Sequence, residues 1–68
     1  MNAYITAARP KDVATDVEEA RRRGCASFTL RSLDHGGMLD LERLGAARYA
    51  AGLQAVVELE VAVPAHRR

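Results

Sequence analysis

The stretch Asp34-His35-Gly36-Gly37-Met38-Leu39-Asp40-Leu41 decides how this chain folds. Adjacent glycines behind an aspartate supply positive φ and mark a turn. Two readings of the four residues after the turn stay open. Met38-Leu39-Asp40-Leu41 is a short third strand that closes a hairpin with the strand before it, or Asp40 is an N-cap and a helix starts at Leu41. Both hold if the strand is very short.

Upstream, residues 26–33 alternate with period two. Ala26, Phe28 and Leu30 are expected in the core, and Ser27, Thr29 and Arg31 outside. Before them, residues 10–23 read as a helix. Pro10 opens it at the first position, where a missing N–H costs nothing. Asp12 lies in its first turn and Arg21, Arg22 and Arg23 in its last, matching the helix dipole. Val13, Val17 and Ala20 recur on one face. Glu18 with Arg22 and Glu19 with Arg23 are spaced as i,i+4 pairs. Gly24 is the expected left-handed cap, with Cys25 folding back as its apolar contact. Residues 2–7 alternate weakly and read as a first strand with Ala3, Ile5 and Ala7 on one side.

Downstream, the second helix runs to Ala51 and stops at Gly52. Its expected buried stripe is Leu41, Leu44, Ala47 or Arg48, and Ala51. Residues 55–63 form the last strand. Val57, Leu59, Val61 and Val63 point inward, and Glu58 and Glu60 outward. Pro64 ends it, and 65–68 is a short polar tail. The order β-α-β-(β)-α-β predicts an α+β, split βαβ, ferredoxin-like domain over residues 1–68, with helices on one face of a mostly antiparallel sheet. Without the third strand the chain is a smaller open α/β layer.

With 68 residues there is room for one domain. A domain this small buries only roughly 60% of its unfolded surface. Cys25 is the only cysteine, so no disulfide forms within the chain. Cys25, His35 and His66 are too few and too scattered for structural zinc. Good packing or a homodimer remains as the source of stability.

Ten basic and nine acidic residues leave a net charge of +1. That balance is no electrostatic footprint for nucleic acid. No apolar run approaches the ~18 residues of a membrane span. Met1-Asn2-Ala3-Tyr4 has no basic region leading into an apolar run. With a lone free thiol, a cytoplasmic protein that makes no membrane contact is expected, and the nine arginines among ten basic residues, with many alanines, point by composition to a bacterial or phage source.

The chemistry-bearing residues point away from catalysis. Cys25 sits just past a helix C-terminus, where partial negative charge disfavours a thiolate. The carboxylates Asp12, Asp16, Glu18, Glu19, Asp40 and Glu42 fit exposed faces and caps rather than a pair across a cleft. The glycines match no phosphate or dinucleotide fingerprint. No catalytic residue, metal or cofactor is expected, so the chain reads as non-enzymatic.

The leading expectation is a small module that docks on a larger protein through Arg21, Arg22, Arg23, Arg31 and His35. Its concrete version is a phage or mobile-element inhibitor of a host system, such as an anti-CRISPR protein. That version rests on size and the lack of motifs alone. One alternative is a nucleic-acid-binding regulator using Arg21–Arg23, although the sheet offers few aromatics for base stacking. The other is a dimeric, small-molecule-binding regulatory domain. Arg48 and Tyr49, set among alanines, are the expected self-association residues.

Overall fold

A computed structural model describes residues 1–61. The expectations for Val63, Pro64 and the 65–68 tail lie outside the described residues. The elements are β1 (Asn2–Ile5), α1 (Pro10–Arg22), β2 (Ser27–Arg31), α2 (Met38–Ala51) and β3 (Val56–Glu60).

The first half forms for the reasons its sequence gives. Pro10 starts α1, and Val13, Val17 and Ala20 are its buried residues. Gly24 adopts φ 98°. Its N–H donates to Arg21 O at 2.9 Å, and Cys25 N–H donates to Ala20 O at 3.1 Å. This is the paired closure of a Schellman cap, and Cys25 is buried behind it. Phe28 and Leu30 are buried on one side of β2, as period two requires. Ala26, expected inside, precedes the strand and is exposed.

The second half corrects the expected fold. The chain makes no mostly antiparallel, ferredoxin-like sheet. Residues 38–41 are the first turn of α2, not a strand. Without a hairpin partner for β2, the chain crosses over through α2 and returns in the same direction. All three strands are therefore parallel, in the order β1-β2-β3. Successive crossovers move the same way across the sheet. Constant handedness then places both helices on one face, where they pack on each other.

The core lies between that face and the helices. Ile5, Val13, Val17, Ala20, Phe28, Leu30 and Ala47 are buried in it, and Ala3, Val57 and Leu59 are partly buried against it. The opposite face carries Tyr4, Thr29, Arg31, Glu58 and Glu60. There Asn2 Oδ1 accepts bonds from Ser27 Oγ (2.7 Å) and Thr29 Oγ1 (3.3 Å). Parallel sheets are usually covered on both sides. Here the second face is polar enough to stand in water.

The buried stripe of α2 is also shifted from the expected one. Asp40, Arg43, Ala47, Ala50 and Ala51 face inward, while Leu41 is 58% exposed. Phe28 is the largest apolar side chain fully inside, at the centre of the thin core. Phe28→Ala should cost about 3–5 kcal/mol. Urea unfolding of the two proteins measures this. A loss below about 1 kcal/mol would place Phe28 outside the core.

Candidate functional site

The C-terminal ends of β1 and β2 are held together by one ion pair. Asp40 and Arg43 are both fully buried, with Arg43 Nη1 3.0 Å from Asp40 Oδ1. Arg43 Nη1 also donates to the carbonyl of Arg31 at 2.8 Å, and its Nε donates to the carbonyl of Ala7 at 2.9 Å. One guanidinium thus joins the chain just beyond β1, the end of β2 and the body of α2. Its Nη2 finds no acceptor among the described residues.

Asp40 organises the β2–α2 loop from inside. Its carboxylate accepts Ser32 Oγ (2.6 Å) and the N–H groups of Leu33 (2.9 Å), Asp34 (3.3 Å) and Gly36 (2.7 Å). Burial pushes the carboxyl's pKa up. The bonds from Ser32, Leu33, Gly36 and Asp34 outweigh that and hold it well below the usual carboxylate range.

Asp34 works from the other side of the loop. Its carboxylate accepts the N–H groups of Gly37, Leu39 and Asp40 at 2.9–3.1 Å. These are donors that the start of a helix leaves unpaired. A residue four positions before the first helical residue therefore supplies the cap, and α2 begins at Met38 rather than Leu41. Gly37 makes this possible by lacking a side chain. A Cβ there would stand 2.6 Å from Asp34 Oδ2.

The loop is thus fixed by two carboxylates, yet its outer side chains are free. Leu33 is 45% exposed, Met38 71% and Leu41 58%. His35 is exposed at the tip, in the left-handed region with φ 56°.

The expected docking residues do not form one surface. Arg31 and His35 stand at the C-terminal end of β2. Arg21, Arg22 and Arg23 end α1, just before β2 begins. The two groups are therefore separated by the length of that strand, about 13 Å at ~3.3 Å per residue. Within the arginine cluster, Arg21 Nη1 donates to Ala50 O at 3.0 Å, and Arg23 pairs with Glu19 at 3.2 Å. Arg22 is exposed beside Glu18.

Of the expected self-association pair, Arg48 is engaged internally. Its Nη1 donates to the carbonyls of Gly52 and Ala55 and staples the turn into β3. Tyr49 is 91% exposed, as is Leu53 beyond it, so the tyrosine does not cover the core edge.

Among the described residues no helix is long and apolar enough to cross a membrane. No protein-family model matches the chain, and no curated protein or solved structure matches it.

Sequence reasoning missed Arg43 entirely and assigned Asp40 to a cap or strand. The available signal was spacing. Asp40, Arg43, Ala47, Ala50 and Ala51 make one helical stripe only if the charged pair is allowed inside.

The depressed Asp40 carboxyl links stability to pH. A group with a lowered folded pKa stabilises the fold above its unfolded value, about 3.9, and that contribution is lost as pH falls below it. Asp40→Asn should therefore weaken the fold at pH 7 and flatten the loss of stability between about pH 4 and pH 2. Urea midpoints across that range, measured on both proteins, test this. Parallel curves would contradict it.

Proposed function

We propose that this chain is a non-enzymatic protein-binding module that docks on a larger protein through its β2–α2 loop and the first turn of α2. The observation that supports this reading is an apolar rim on a preorganised loop. Leu33 and His35 stand on the loop, and Met38 and Leu41 lie one turn apart on the helix it feeds. Their backbone is already fixed by Asp34 and Asp40, so a partner need not order the loop as it binds. Exposed apolar side chains grouped on a rigid frame fit a protein contact better than isolated surface residues would.

Arg31, at the same end of β2, carries its charge on the open sheet face, in register with Glu60, and stands apart from this surface. The arginines at the end of α1 contribute less than their sequence suggests, because Arg21 and Arg23 already have internal partners. That arrangement favours protein docking over the phosphate-binding alternative, which needs several free guanidinium groups along one surface.

The test is capture of partner proteins by the tagged chain after nuclease treatment. The double variant Leu33→Ser with Met38→Ser should keep the wild-type melting temperature and lose the captured protein. Each truncation at a contact centre typically costs about 1–2 kcal/mol, enough to empty such a lane. Equal capture by both proteins would remove this surface.

A further inference from the structure

β1 pairs with β2 on one side only, and no described strand covers its other edge. About half of an edge strand's N–H and C=O groups face outward without partners. Proteins usually blunt such an edge with a charge, a proline or a bulge. Asn2-Ala3-Tyr4-Ile5 has no charge and no proline, and its register against β2 is unbroken.

A groove of about 190 Å³ runs along this edge. Ala3, Tyr4 and Ile5 form one side, and Asp16, Glu19 and Ala20 of α1, with Arg23 just past its end, form the other. Ala3 and Ala20 keep its floor small, its exposed lining is mostly polar, and its α1 rim carries Asp16 and Glu19 against one cation, Arg23. Glu19 is paired with Arg23, whereas Asp16 has no ion-pair partner among the described residues. Tyr4, 64% exposed, flanks the groove on the open sheet face.

We infer that the β1 edge and α1 together form a strand-addition site for an extended segment of another protein, one that alternates basic with β-branched residues. Main-chain bonds to β1 would give affinity, and alternate side chains would give specificity. Basic side chains lay their aliphatic stems across Ala3 and Ala20 and bring their charge to Asp16. Residues of the other parity stand beside Tyr4 on the open face, where β-branched side chains pair well with an aromatic ring. At the other edge of the sheet, β3 alternates Val57 and Leu59 with Glu58 and Glu60. Neither β3 nor a second β1, Asn2–Ile5, brings a cationic side chain to Asp16, so a second copy of this chain is a poor occupant. The β1 edge and the β2–α2 loop are built from different elements, so neither site depends on the other.

The test titrates the full chain with a six-residue peptide alternating arginine and valine. The readout is amide chemical shifts. Shifts are expected at residues 2–6 and on the Asp16–Arg23 side of α1. The same peptide with alternate backbone nitrogens methylated should not bind, because its side chains remain but its strand hydrogen bonds do not. Asp16→Arg, a surface change, should weaken binding roughly tenfold and shift the preference to a glutamate–valine peptide, as expected for one charge contact. No shifts at millimolar peptide, shifts confined to the Glu58 and Glu60 face, or indifference to methylation would each overturn the assignment. A dimer joined through β1 in sedimentation and shift mapping would give the edge to a second copy and overturn it as well.

Discussion

The buried pair of Asp40 and Arg43 is the constraint on which the rest of the structure depends. Few domains of this size place two charges at zero exposure, because moving ions out of water costs several kcal/mol each unless partners replace the water. Here the partners are main chain. Arg43 donates to Ala7 and Arg31, and Asp40 accepts three backbone N–H groups of the loop together with Ser32 Oγ. The pair therefore does more than bind its own two members. It sets the ends of β1 and β2 level with each other and ties the β2–α2 loop to the body of α2. A parallel sheet lacks the short hairpins that set register in antiparallel ones. A polar clamp on the strand ends supplies that register instead.

The same clamp explains the composition of α2. Gly45 and the alanines at 46, 47, 50 and 51 offer little bulk. Ala47, Ala50 and Ala51 let α2 lie close to α1, where Ala47 is fully buried and Ala50 and Ala51 nearly so, whereas Gly45 faces open space. Only one end of the helix carries large side chains into the interior, and one of these is Arg43. At the other end, Arg21 of α1 donates to the carbonyl of Ala50, at the negative end of the α2 dipole. The two helices are thus joined by arginine at one end and by small-residue packing along their length. The result is a thin layer with a rigid upper loop, one polar sheet face and an unguarded edge at β1. Each of these surfaces is available to a partner.

Much of the first half was legible in the sequence. Pro10, the Val13–Val17–Ala20 stripe, Gly24 and the alternation through Phe28 and Leu30 each came from a local rule, and local rules suffice there. The second half was not legible in the same way. Asp34-His35-Gly36-Gly37 has hairpin composition, but Asp34 reaches forward to cap a helix. The polar residues on the outer side of β2 and β3 suit a half-exposed antiparallel sheet, so the alternation could not reveal strand direction. Arg43 was invisible because hydropathy places an arginine outside. Only the three carbonyl and carboxylate acceptors that meet its guanidinium make an inside position tolerable, and two of them, the carbonyls of Ala7 and Arg31, come from distant parts of the chain.

The most direct test of this account is the stability of Arg43→Met, measured by urea unfolding at pH 7. Methionine is also long and unbranched, so the variant removes the charge and the donors while sparing much of the packing. A loss of about 3 kcal/mol or more is predicted, because Asp40 would be left as an unpaired buried charge and the strand ends would lose their clamp. A change below about 1 kcal/mol, with the amides of Leu33, Gly36 and Asp40 still protected from exchange, would show that the fold does not depend on the pair.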